Sequence, residues 1–176
     1  EFKGHSIQEI ISTGEQLYIS GGLREFLVSN PDVKIYNLYG PSETHVVTGV
    51  SYDYKAGFLP EKTSIGKPID NTAIYILDNK LQLVPIGVEG EVFIAGYNLA
   101  IGYHERDDLT SERFVKNPFN ENELVYKSGD IAKWLPNGEI EYLMRKDNQV
   151  KVNGYRLELD EIESVLRSVP SVRETI

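Results

Sequence analysis

The chain has 176 residues, of which 40% are hydrophobic, with 18 Lys and Arg against 27 Asp and Glu and a formal net charge of −9 at pH 7. That length and composition can fill a core, and the acidity argues against nucleic acid or an anionic membrane as main partner, since both require clustered Lys and Arg. The sequence contains no cysteine, which excludes a disulfide framework, a thiolate metal site and a cysteine nucleophile, and no apolar run approaches a membrane span, so a soluble cytoplasmic protein is expected.

Residues 7–40 read as strand, helix, strand. Ile7–Ile11 is a short apolar run closed by Thr13-Gly14. Leu23, Phe26 and Leu27 recur at helical spacing, and the helix should stop before Pro31. Val33–Tyr36 gives a second strand, so a parallel βαβ unit is expected. From about residue 45 the texture changes to short alternating runs: Val46–Tyr54, Thr72–Leu77, Glu91–Ala95, Leu124–Tyr126, Ile131–Leu135 and Ile140–Leu143. Pro136-Asn137-Gly138 reads as a hairpin turn and Asp108–Phe114 as a helix. A β-barrel or a pair of small sheets is expected here.

A polar stretch, Arg145 to Gln149, precedes one alternating strand from Val150 to Leu157. A helix from Asp160 follows, with Glu163 completing a capping box and Ile162, Val165, Leu166 and Val169 forming its apolar face up to Pro170. Such a tail cannot bury its own core. The sequence therefore reads as a piece cut at both ends.

Two segments carry residues suited to chemistry. Tyr39-Gly40-Pro41-Ser42-Glu43-Thr44 joins a strand to the next segment and offers a ring, a hydroxyl and a carboxylate. These suit a base, a phosphate and a divalent cation respectively; an ordinary Gly-Pro turn with solvated polar residues is the alternative. In Tyr126-Lys127-Ser128-Gly129-Asp130, the aspartate can accept from a ligand's vicinal hydroxyls or cap its own turn. Tyr142 returns across the expected hairpin toward the same side. Arg145 suits phosphate or ribose, and Asp147 suits a hinge. His5, His45 and His104 give no metal-ligand spacing.

Taken together, these segments resemble the adenylation domains of nonribosomal peptide synthetases, in the acyl-adenylate-forming superfamily. Asn37–Thr44 is similar to their N-x-Y-G-P-[TS]-E-T segment, and Gly90–Thr110 to their G-E-[LV]-x-I-x-G…A-x-G-Y…L-T segment. Tyr126–Ile131 resembles Y-[RK]-[TS]-G-D-[LI], and Arg145–Glu163 resembles R-x-D-x-Q-V-K-x-x-G-x-R-[IV]-E-x-x-E-I-E. Ser64–Ile69 fits the stretch that links them. Met144, Ile101 and Asn153 depart from the usual Gly, Arg and Arg of the family.

The resemblance implies an α/β fold with a β-barrel-like subdomain, as a fragment of the adenylate-forming enzyme fold. Residues 1–45 would end the α/β core, 46–144 form the β-barrel-like subdomain, 145–148 the hinge, and 149–176 the first strand and helix of an α+β lid. It implies ATP and Mg²⁺ as cofactors and phosphopantetheine on an acceptor carrier protein. The tyrosine matching Tyr39 packs on adenine, the hydroxyl matching Ser42 contacts the adenylate phosphate, and the glutamate matching Glu43 helps hold Mg²⁺. Asn37 and Gly40 fall in the same nucleotide segment. The aspartate matching Asp130 binds the ribose hydroxyls, with the residues matching Tyr142 and Arg145 beside the nucleoside. Asp147 matches the hinge about which the lid turns. Lys151 matches a residue facing the site, and Gly154 one facing the pantetheine tunnel.

Ile11, Thr13, Leu38, Val46 and Val47 match acyl-pocket positions and are largely apolar, which implies a hydrophobic amino acid or a related hydroxy or keto acid as substrate. The implied partners are that acid, a peptidyl carrier protein domain and the upstream part of the domain, with neither nucleic acid nor membrane. The family's phosphate loop, its amine-binding aspartate and its late catalytic lysine have no match within residues 1–176, so the chain alone is expected to be inactive. An acyl- or aryl-CoA ligase of the same superfamily is the second reading; a downstream carrier domain would decide against it. A non-catalytic remnant that binds ATP without exchange is the third.

Overall fold

The computed structural model describes residues 7–147, 149–152, 155–169 and 171–172. Strand β1 (Glu9–Thr13), helix α1 (Gly21–Ser29) and strand β2 (Lys34–Tyr39) form the expected unit, with β1 and β2 parallel. Leu27 is fully buried against Leu17, Ile19, Val33, Ile35 and Leu59, with Leu23 and Phe26 packed at the side. The three helix residues share one face because positions three and four apart lie one turn along. Asn30 closes the helix, its side-chain amide donating to the Phe26 carbonyl at 2.8 Å.

β1 lies two residues later than the Ile7–Ile11 run. Its bounds follow the pairing of Glu9 with Lys34 and of Thr13 with Leu38. Strand β3 (Thr48–Tyr52) is antiparallel to β2 and to the short β4 (Lys67–Pro68), giving the sheet order β1-β2-β3-β4. The Val46–Tyr54 run thus adds to the first sheet rather than to the middle one. Alternation sets Thr48, Val50 and Tyr52 on one face of β3 and Gly49 and Ser51 on the other, but does not name its partner strand.

The second sheet contains β5 (Thr72–Leu77), β6 (Gly90–Gly96), β7 (Phe114–Asn117), β8 (Asn120–Trp134) and β9 (Ile140–Arg145). Its order is β5-β6-β8-β7, with β9 also on β8, and every pairing is antiparallel. Among the described residues it does not close into the expected barrel. Leu124–Tyr126 and all but the last residue of Ile131–Leu135, read as separate strands, belong to the single strand β8, which pairs with β7 in its first half and β9 in its second. Helix α2 (Asp107–Arg113) precedes β7, and Phe114 is already extended.

The sheets meet at Ile140. Its backbone N–H donates to the Gly66 carbonyl at 2.9 Å and its carbonyl accepts from Ile65 at 2.8 Å. Val47 and Ile65 share a buried core here with Ile76, Ile94, Tyr126 and Ile140. This seam brings the C-terminal end of β2 alongside β8 and β9.

Beyond Asp147, the single expected strand is a hairpin of β10 (Gln149–Val152) and β11 (Tyr155–Glu158). The register sets Val150 opposite Leu157 and Val152 opposite Tyr155, so one alternating pattern serves both arms. Asn153-Gly154, a pair that favours two-residue hairpin turns, separates them in sequence and lies outside the described residues. Helix α3 (Leu159–Arg167) starts one residue before the expected Asp160, and Glu163 pairs with Arg167 at 2.7 Å. Among the described residues no helix is long and apolar enough to cross a membrane.

Candidate functional site

β2 runs out at Tyr39, where the chain folds back on itself. A Cβ on Gly40 would lie 1.6 Å from the His45 carbonyl oxygen and 2.9 Å from Val46 Cα, so only glycine permits the return. The Val47 N–H closes it on the Tyr39 carbonyl at 2.8 Å. Within the loop Ser42 is exposed while Glu43 and Thr44 are buried.

Asp130 arrives from β8. Gly129 before it has φ +77°, and a Cβ there would stand 2.9 Å from both Arg145 Nη2 and Asp147 Oδ2. The Asp130 N–H donates to the Ser128 hydroxyl at 3.0 Å, which itself donates to the Val92 carbonyl. The Asp130 carboxylate reaches across the seam: Oδ2 accepts from the Tyr39 hydroxyl at 2.5 Å and Oδ1 from Arg145 Nη1 at 3.1 Å. Asp130 is only 5% exposed. A buried carboxylate held from one side by a guanidinium and from the other by a phenol is fixed in direction.

Arg145, from β9, also donates Nη1 to the Ser128 carbonyl at 2.8 Å. Its other face forms a two-point contact with Asp147, Nε to Oδ1 at 2.9 Å and Nη2 to Oδ2 at 2.6 Å. Arg113 of α2 stands 3.7 Å from Asp147 Oδ2.

The ionisations follow from this packing. Burial and then the Asp130 charge hold the Tyr39 phenol well above its usual range. Burial and Asp130 push Tyr142 up to about 12. Burial works against the Arg145 charge, but the hydrogen bond to Asp147 and the charges of Asp130 and Asp147 outweigh it and raise its pKa. Burial would raise Asp147 too, yet the Arg145 hydrogen bond and charge bring it below the ordinary carboxylate value.

A cavity of about 620 Å³ opens between these groups, lined by Asn37, Leu38, Tyr39, Gly40, Asp130, Tyr142 and Arg145. The structure therefore brings together six residues assigned to the nucleotide, Asn37, Tyr39, Gly40, Asp130, Tyr142 and Arg145. Asn37 also braces the wall, its amide donating to Thr63 Oγ1 at 2.9 Å and to the Ser64 carbonyl at 2.7 Å. Ser42 and Glu43 stand outside this lining.

Of the five acyl-pocket positions, Leu38 lines the cavity, and Thr13 immediately precedes Gly14, which also lines it. Ile11 is 65% exposed, Val46 is half-buried, and Val47 is fully buried in the core at the seam. Gly154 and the Lys151 side chain lie outside what the structure describes.

Sequence reasoning missed several residues. Gln16 and Gln149 line the cavity, and Gln149 is 5% exposed. Tyr103 donates its hydroxyl to Glu43 Oε1 at 2.7 Å, and the Asn98 amide donates to the Thr44 carbonyl at 2.9 Å. The signal for the last two was their place in the Gly90–Thr110 segment, but nothing in its spacing said which loop it would meet.

The profile of the AMP-binding enzyme family matches residues 4–104. Tyrocidine synthase 2 of Brevibacillus parabrevis is 47% identical over 170 residues, 97% of this chain and 5% of that protein. Gramicidin S synthase 2 of Brevibacillus brevis is 46% identical over 170 residues, 97% of this chain and 4% of that protein. The chain thus spans about a twentieth of the length of the curated relatives it matches. Among solved structures, PA1221, described as an NRPS protein containing adenylation and PCP domains, superposes with a TM-score of 0.84 at 29% identity, over 95% of this chain and 34% of that one. IdnL1 gives a TM-score of 0.85 at 26% identity, over 95% of this chain and 35% of that one. With the family profile, the relatives and the superpositions in agreement, the chain belongs to the AMP-binding enzyme family and has the fold of the corresponding part of an adenylation domain.

Proposed function

We propose that the chain is part of an amino-acid adenylating enzyme that feeds a carrier-bound assembly. The observation that carries this reading is the Asp130 carboxylate, buried, fixed by Tyr39 and Arg145, and set in the wall of a cavity large enough for a nucleoside. In the first reaction an oxygen of the substrate carboxylate attacks the α-phosphorus of ATP. The bond to the bridging oxygen breaks, pyrophosphate leaves, and an aminoacyl-AMP remains. In the second reaction the phosphopantetheine thiol of a peptidyl carrier protein gives up its proton and attacks the acyl carbon; AMP leaves and a thioester forms.

Asp130 accepts hydrogen bonds from the ribose hydroxyls, Tyr39 packs on adenine and Tyr142 lies against the nucleoside, so the α-phosphate is presented in one orientation. Arg145 supports Asp130 from the ribose side. Ser42, exposed within the loop that follows β2, donates to the phosphate. The Glu43 carboxylate fits Mg²⁺ as a single protein oxygen ligand, since that ion keeps waters and binds substrate phosphates rather than an all-protein cage. Among the described residues no three His, Cys, Asp or Glu side chains gather into such a cage. When bound, Mg²⁺ supplies charge neutralisation for the triphosphate.

Asp147 is the point about which residues 149–176 turn between the two reactions, bringing Lys151 and Gly154 to the site and the pantetheine tunnel for the second. The acyl substrate has an apolar side chain, in keeping with Leu38 in the cavity wall. The cytoplasm, which supplies ATP and keeps thiols reduced, is the compartment this chemistry needs.

The test is ATP–pyrophosphate exchange by the full-length protein across a panel of amino acids, followed by transfer to its carrier domain. Exchange with an apolar amino acid and label on the carrier thiol are expected. Preference for a charged amino acid, or release of a soluble CoA thioester, would refute the corresponding half of the reading.

A further inference from the structure

The Glu43 loop is gripped by a segment 52 to 60 residues later in the chain. The Ala100 N–H donates to the Glu43 carbonyl at 2.7 Å, and the Asn98 amide donates to the carbonyls of Thr44 at 2.9 Å and Val46 at 3.2 Å. The Tyr103 hydroxyl then donates to Glu43 Oε1 at 2.7 Å. Glu43 is 7% exposed, so its aim is set by these neighbours rather than by water.

Tyr103 is itself held in place. Its N–H donates to Thr110 Oγ1 at 2.9 Å, and its ring meets Phe114 edge-on with centroids 5.8 Å apart. A Cβ on Gly102 would lie 2.6 Å from Thr110 Cγ2, so glycine at that position is what lets the segment close on α2. A phenol that donates to one carboxylate oxygen fixes rotation of the carboxylate and thereby the direction of its second oxygen. Groups that orient metal-binding carboxylates act in this way.

We propose that Tyr103 is a positioning residue, holding the Glu43 carboxylate in the orientation that receives the magnesium–triphosphate complex. The inference rests on the function proposed above and adds to it a residue that does not touch substrate. Tyr103→Phe in the full-length protein keeps the ring and removes only the hydroxyl. The Mg²⁺ concentration for half-maximal exchange should rise about tenfold, with a matching loss of Mn²⁺ affinity in the presence of ATP, read by electron paramagnetic resonance. The affinity for AMP without metal should not change.

Unshifted Mg²⁺ and Mn²⁺ dependence in that variant would overturn the proposal and leave the proposed function standing. A wild-type protein without metal-dependent exchange would overturn both. Thr110→Val, which removes the acceptor of the Tyr103 N–H, is the second variant should Tyr103→Phe not fold. It should shift the metal dependence in the same direction, and an unshifted profile there would equally overturn the proposal.

Discussion

The Tyr39 hydroxyl donates to Asp130 Oδ2 at 2.5 Å, joining the end of β2 to β8 across 91 residues of chain. Arg145 takes the other oxygen, so the carboxylate is fixed from both sides by the fold itself. Orientation of this kind is established on folding and need not be achieved during binding.

Removing the Tyr39 hydroxyl should therefore weaken binding without emptying the site. Tyr39→Phe deletes one hydrogen bond to a charged group and is expected to cost about 1.5–3 kcal/mol of stability. Urea unfolding measures that loss, and AMP affinity should fall alongside it. Unchanged stability and affinity would show that the contact does not order Asp130.

Gly129→Ala tests a different feature. Gly129 and Gly57 have nearly the same φ, +77° and +72°, but nothing lies within 4 Å of a Cβ on Gly57. On Gly129 the same atom meets Arg145 and Asp147 at 2.9 Å. Both substitutions incur backbone strain of about 1–3 kcal/mol, and only the first also displaces the Arg145–Asp147 pair. Gly129→Ala should unfold at lower urea than Gly57→Ala; equal midpoints would mean the pair yields at no cost.

Asp147 gives a prediction in pH. Its carboxyl is held below the ordinary value in the folded protein, so its contribution to stability is complete above about pH 4, the unfolded value. That contribution is lost as pH falls through the lower folded value. The stability difference between wild type and Asp147→Asn should accordingly shrink as pH is taken from 6 to 2. A difference that stays constant over that range would show that the Arg145 contact does not depend on the charge.

The chemistry of the short segments around Tyr39 and Asp130 left an ordinary turn as the alternative, and it was the resemblance that grouped Tyr39, Asp130, Tyr142 and Arg145, all four of which line one cavity. Partner choice was not legible. Alternation gave β3 its faces but not its place beside β2, and it could not distinguish one long strand from the hairpin of β10 and β11. Gly129 hides the continuity of β8, since a glycine inside an apolar run reads as a break. Tyr103 was missed for a related reason: the contact with Glu43 is made by tertiary packing, 60 residues apart, and leaves no local pattern.

The most direct test of the account is calorimetric titration of AMP into the full-length protein and its Asp130→Asn variant, with unfolding curves to confirm that both are folded. Loss of a charged acceptor for the ribose hydroxyls should weaken AMP binding about tenfold or more. Equal affinity in a folded variant would contradict the assignment of this cavity to the nucleotide.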